Sequence, residues 1–137
     1  MTTRSSATEP VAHAGDRVLA IHPDTDAATA LDVMSVNAVR HLPVVHGNQC
    51  QGLVTETDLL RAVAVAAGEP AGSPRPTVGS HCHRLPPTVR KDAGLPAVAA
   101  AILAGGLDAA LVVHGGALTG IVTSTDVLAA VAEQAAQ

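Results

Sequence analysis

Two four-residue spacings could do chemistry in this chain: Thr55-x-x-Asp58 and Thr123-x-x-Asp126, each closing an apolar run. At a strand-to-helix turn this spacing makes a capping box. The hydroxyl sits at the cap and the carboxylate three residues on, and each satisfies an amide that the first helical turn leaves unpaired. Glu or Gln serves such a box better than Asp, so capping alone does not explain the residue chosen. A short carboxylate directed outward could also accept both hydroxyls of a vicinal diol such as ribose. The threonine and the exposed amides of the helix start would then lie near the sugar and an attached phosphate.

Seven histidines and two cysteines invite a metal or catalytic reading. His81-Cys82-His83 is the tightest cluster, and its donors suit borderline metals. On a strand His81 and His83 would share a face while Cys82 pointed away, and no second cluster supplies a fourth ligand. His46 and His114 stand beside hairpin turns and read as exposed strand-end residues. Cys50 falls among apolar strand residues and reads as a small buried hydrophobe. No Ser–His–Asp order, nucleophile elbow or phosphate-binding glycine loop is present. The expectation is a protein that is not an enzyme and requires no cofactor.

The 137 residues fit one domain or two small repeats. Apolar residues make up 47% of the chain and are small: 27 Ala, 18 Val, 13 Leu and 3 Ile, with no aromatic residue. That removes the stacking platforms on which single strands and splayed bases are held. A net charge of −4 leaves no basic footprint for duplex DNA, so no nucleic-acid partner is expected. No apolar run approaches the roughly 18 residues needed to cross a bilayer, and residues 1–16 lack the apolar core of a secretory signal. Cys50 and Cys82 form no paired spacing, and the chain reads as cytoplasmic with both thiols reduced.

Self-comparison reveals a repeat. Residues 44–64 match 112–132 at 13 of 21 positions, at an offset of 68 without a gap. Each copy reads as a short extended piece (Val18–Ile21, Pro87–Val89) followed by an Ala-rich helix (about 26–36 and 92–104). Asp24 or Asp26, and Asp92, are candidate caps; Asn37 and Gly105-Gly106 are candidate stops. Two apolar runs joined at Gly47-Asn48 or Gly115-Gly116 then read as hairpins. A second helix follows over about 56–67 and 124–135, with Gly68 as a stop. The unit is β-α-β-β-α, twice, of the mixed α+β (two-layer α/β) class. Neither copy can cover its own sheet, so sheet-to-sheet packing with pseudo-two-fold symmetry is the natural solution.

At these residues a family resemblance becomes specific. The β-α-β-β-α unit, with Arg40-His41 before Leu42-Pro43-Val44-Val45 and with G-h-h-T-x-x-D-h after the hairpin (h apolar), resembles the cystathionine-β-synthase (CBS) domain. Two in tandem resemble the CBS pair, or Bateman module. The lead-in segment at 76–89 fits, and that at 8–21 fits more loosely. The implied organisation is one repeat with its lead-in over 8–67, a Gly/Pro/Ser-rich linker over 68–76, and a second repeat with its lead-in over 77–135.

The resemblance implies a stand-alone regulatory module. It would bind an adenosine-containing effector (AMP, ADP, ATP or S-adenosylmethionine) between the repeats, form a homodimer and signal to a target protein. By analogy, Thr55 with Asp58 and Thr123 with Asp126 contact ribose, Arg40 and His41 reach phosphate, and Thr77 hydrogen-bonds the ligand. The alternative for Arg40 is a surface ion pair with Asp32. Repeat two departs from the pattern, with Asp108 and Ala109 in place of Arg40 and His41 and Leu111 in place of Pro43. That departure points to a single good site, or to a ligand that carries little negative charge. It also keeps open a second reading, a ligand-silent scaffold for dimerisation.

Overall fold

The computed structural model describes residues 11–14 and 18–136. The lead-in expected over 8–21 therefore falls outside the described residues at 8–10 and 15–17. The chain divides into two compact units, Met1–Leu85 and Pro86–Gln137.

In the first unit the strands are β1 (Val11–Ala14), β2 (Val18–Ile21), β3 (His41–His46) and β4 (Gln49–Thr55), ordered β1-β2-β3-β4 in one sheet. β1 pairs antiparallel with β2, which makes this sheet four-stranded where the β-α-β-β-α pattern expects three. β2 runs parallel to β3 across helix α1 (Ala27–Asn37), and β3–β4 is an antiparallel hairpin leading into α2 (Glu56–Ala67).

α1 begins where Asp26 accepts the Thr29 amide at 2.8 Å, which selects Asp26 over Asp24 as its cap. It ends on Ala38 in the left-handed conformation (φ 54°), while the Asn37 side chain bonds back to the Val33 carbonyl. The expected stop is thus displaced by one residue. Ala27, Ala30 and Met34 recur along one face and are buried with Ile21, Leu42, Val44, Val54, Leu59 and Ala62. Alanine on this face lets the helix lie close to the sheet. Burying each Val or Leu beneath it stabilises the unit by roughly 1.5–3 kcal/mol.

The second unit repeats the plan with β5 (Thr88–Arg90), α3 (Leu95–Gly105), β6 (Ala109–His114), β7 (Ala117–Thr123) and α4 (Ser124–Ala135). Its sheet order is β5-β6-β7, with β5 parallel to β6. α3 starts three residues later than expected, and Asp92 is not its cap: Gly94 is. Pro96 sits in the first turn, where a missing amide costs nothing, and the Asp92 carboxylate meets Arg90 at 3.4 Å instead. Both hairpins carry a register shift at the same place, between Val44 and Val45 and between Val112 and Val113. The core of this unit is Val89, Ile102 and Ala110, and α4 has no buried residue.

Between the sheets in sequence, residues 76–85 form a strap on the first unit. Ala27 donates to the Pro76 carbonyl, Val78 to Thr25 and Gly79 to Pro23, all at 2.8–2.9 Å. Val78 is fully buried in the core of the first unit. Among the described residues no helix is long and apolar enough to cross a membrane.

Candidate functional site

Both T-x-x-D spacings form the capping box. Thr55 Oγ1 accepts the Asp58 amide at 3.1 Å, and Asp58 Oδ2 accepts the Thr55 amide at 3.2 Å and the Thr55 hydroxyl at 2.7 Å. In the second unit the corresponding distances are 3.3, 2.8 and 3.0 Å for Thr123 and Asp126. The chain folds this way because each threonine ends an edge strand and its hydroxyl can close the first helical turn.

The two carboxylates differ in their surroundings. Asp58 is 17% exposed, and its Oδ2 also receives the Nε2–H of His83 at 2.8 Å. Asp126 is exposed, and among the described residues its carboxylate meets the Thr123 amide and hydroxyl alone.

Arg40 and His41 arrive at the same end of the first unit. The Arg40 carbonyl accepts the Glu56 amide at 2.9 Å, and His41 stands opposite Thr55 in the β3–β4 ladder. The Arg40 side chain is exposed and forms no ion pair among the described residues, with Asp32 or any other acid. Thr55, Asp58, Arg40 and His41 are therefore brought together. Thr77 stands on the strap: it bridges Asp26 at the start of α1, and its hydroxyl lies 2.9 Å from Ser80 Oγ. In the second unit Asp108 occupies the counterpart of Arg40. Its carbonyl accepts the Ser124 amide at 2.9 Å, and its carboxylate accepts the Ser124 hydroxyl at 3.2 Å.

Beside Asp58 a shallow cleft runs along α2 and is closed by the strap. Asp58, Arg61, Val65, Pro76 and His81 are among its lining residues. Sequence reasoning missed Arg61, although its spacing of three from Asp58 puts both on one helix face. It also missed the role of His83. The strap holds His83 to β4 by two backbone bonds with Leu53, of 2.7 and 2.9 Å. Gly52 admits that approach, because a Cβ there would collide with the His83 carbonyl.

The remaining candidates disperse. Cys82 packs against the core of the first unit, and burial pushes its thiol up, away from the thiolate that metals and electrophiles require. His81 is exposed. Among the described residues no three His, Cys, Asp or Glu side chains gather to hold a metal ion. Cys50 is exposed, contrary to its expected burial, because it sits near the outer end of edge strand β4. His46 and His114 are exposed at their strand ends, as expected. His22, by contrast, is buried: its Nδ1 accepts the Asp24 amide, its Nε2 has no partner among the described residues, and its ring meets that of His46 edge-on at 4.7 Å.

Two β-α-β-β-α units with matching bulges, hairpins and capping boxes define a tandem-repeat protein of mixed α/β architecture. The CBS domain family model matches twice, over residues 11–65 and 78–133, and the chain belongs to the CBS-domain family as a tandem CBS pair. Solved structures agree. CBSX2 from Arabidopsis thaliana is 23% identical with a TM-score of 0.73, over 90% of this chain and 92% of that one. The structure of CBSX2 in complex with AMP is 25% identical with a TM-score of 0.73, over 88% and 91%. The CBS-domain-containing protein ATU1752 from Agrobacterium tumefaciens is 23% identical with a TM-score of 0.72, over 83% and 89%. No curated protein matches the chain.

Proposed function

We propose that this CBS pair is a non-enzymatic regulatory module that binds an adenosine-containing effector of the AMP, ADP, ATP or S-adenosylmethionine type and signals to a target protein. The observation that carries this reading is the joint placement of Asp58, Thr55, Arg40 and His41 at one end of the β3–β4 hairpin. The carboxylate accepts the ribose hydroxyls, and the unpaired Arg40 guanidinium offers its fork of donors to phosphate. The AMP complex of CBSX2 supports the ligand class. Signalling follows if the effector binds one arrangement of the chain more tightly than another.

Calorimetry of the full chain against the four effectors tests the reading. One ligand per chain is expected, with affinity falling as salt is added because the phosphate contact is ionic. Asp58→Ala should weaken binding at least about tenfold, since hydrogen bonds to a charged group contribute roughly 1.5–3 kcal/mol. Unchanged affinity in both Asp58→Ala and Asp126→Ala, with the fold intact, refutes the reading. A second reading, a ligand-silent scaffold, draws support from α3 and α4, which leave Leu103, Leu128 and Val131 exposed. In both readings a homodimer uses these apolar helix surfaces, and sedimentation giving only monomer at micromolar protein, with and without effector, excludes it.

A further inference from the structure

We infer that His83 sets the affinity of the Asp58 site, by holding the place on the carboxylate that a ligand hydroxyl must take. This rests on the reading that Asp58 accepts a ribose diol. Asp58 Oδ2 already receives the Thr55 amide, the Thr55 hydroxyl and the His83 Nε2–H, at 3.2, 2.7 and 2.8 Å. Three donors on one carboxylate oxygen exhaust its acceptor capacity. A vicinal diol that engages both oxygens of Asp58 therefore has to displace one donor. The Thr55 pair is fixed by the helix cap, whereas the imidazole is 41% exposed and can swing outward.

The strap supplies the imidazole independently of that bond. The backbone of residue 83 is pinned to Leu53 from both sides, and Gly52 lacks the side chain that would block it. A protonated imidazole binds the carboxylate as an ion pair and a neutral one as a simple hydrogen bond, so acid strengthens the occupant. The titratable and charged groups around the pair are Arg61 and Glu56 from α2, Arg40 and His41 at the start of β3, Cys50 from β4, and His81, Cys82 and Arg84 from the strap. All of these, and Asp58 itself, remain in a His83 variant. The difference between that variant and the parent thus isolates the pair.

The test is calorimetry of AMP binding to the full chain at about pH 5.5 and about pH 8, which bracket ordinary imidazole titration. The parent should bind roughly three- to tenfold more weakly at the lower pH, a range discounted for the exposure of the pair. His83→Ala should bind more tightly than the parent at low pH and depend on pH less than the parent does, since the AMP phosphate changes charge alike in both. His83→Gln, a neutral donor of similar reach, should also lose the share of the pH dependence that the pair contributes. The backbone bonds to Leu53 do not need the side chain, so these variants keep the strap, which amide exchange at Leu53 and His83 checks.

A ligand-free measurement accompanies it. The imidazole nitrogen resonances of His83 should move on Asp58→Asn at fixed pH, because the 2.8 Å hydrogen bond loses its charged acceptor, and unchanged resonances overturn the pair itself. Binding that Asp58→Ala abolishes but His83→Ala leaves unmoved, or weakens at both pH values, overturns the inference alone. Absence of AMP binding in every variant overturns the ribose reading and the inference together.

Discussion

A pair of glycines at equivalent positions should respond to the same substitution with opposite signs. Gly52 and Gly120 each interrupt the second strand of a hairpin, separated by the repeat offset of 68. Ala in place of Gly within a strand ordinarily stabilises by about 0.5–1 kcal/mol, because the unfolded chain has less freedom to lose. At Gly120 a new Cβ would meet only the Val112 Cβ, at 3.9 Å, an ordinary contact. Gly120→Ala should therefore gain most of that increment. At Gly52 the new Cβ would run into the backbone carbonyl of His83, which cannot rotate away. The strap must lift, and the two bonds between Leu53 and His83 are lost at about 1 kcal/mol each. Subtracting the local gain leaves Gly52→Ala less stable by about 1–1.5 kcal/mol. Urea denaturation followed by circular dichroism measures both variants, since a chain without Trp or Tyr has no useful intrinsic fluorescence. Amide exchange should accelerate at Leu53 and His83 in Gly52→Ala alone. Equal shifts of the same sign, or unchanged protection at those amides, would show that the strap does not bear on β4.

Three further outcomes follow from local geometry. Asp26→Ala removes the cap on the Thr29 amide and should cost about 1 kcal/mol. The Thr29 amide, with help from Arg75, holds the Asp26 carboxyl below its ordinary value of 3.8, so its stabilisation is present at neutral pH and lost as pH falls through the folded value. The stability gap between parent and variant should close in acid, and a constant gap would contradict this cause. Ala38→Gly should stabilise the chain by about 1 kcal/mol and raise Tm by a few degrees, because Ala38 holds a left-handed φ of 54° that its counterpart Gly106 adopts freely; an unchanged Tm would argue against strain there. Met34→Ala, at 1% exposure in the first core, should cost about 2–5 kcal/mol, while Leu85→Ala, at 98%, should stay within about 0.5. Similar losses at both positions would contradict the burial pattern.

The elements closest to the repeat were legible because local chemistry defines them. The α2 and α4 bounds follow from a threonine cap and a strand that cannot continue past it. Errors arose where a residue had two competing partners. Asp92 looked like a cap but pairs with Arg90, and Pro96 moved the helix start beyond it. Cys50 falls among apolar residues in the sequence, yet it lies near the exposed outer end of β4, beyond the register shift after Val44. The Asp58–His83 bond had no sequence signature, since 25 residues separate its partners and only the fold of the strap brings them together. The spacing that put His83 in a metal cluster was a real proximity in sequence with a different use in space.

The repeat also explains why its two capping boxes need not do the same work. Capping demands only a hydroxyl and a carboxylate three residues apart, and both units keep them. What surrounds that box is free to diverge, because it contributes little to the core. Around Asp58 stand Arg40, His41, Arg61 and His83; at the offset of 68, Arg40, His41 and Arg61 are replaced by Asp108, Ala109 and Ala129. Asp108 turns its carboxylate to Ser124 and spends its charge on the start of α4. Positive charge near one carboxylate and negative charge near the other give the two sites opposite preferences for an anionic ligand. On the proposed function, an effector that carries phosphate would find its complement in the first unit. If His83 holds the place on Asp58 that a ligand hydroxyl must take, binding in that unit would be coupled to a proton as well as to a ligand.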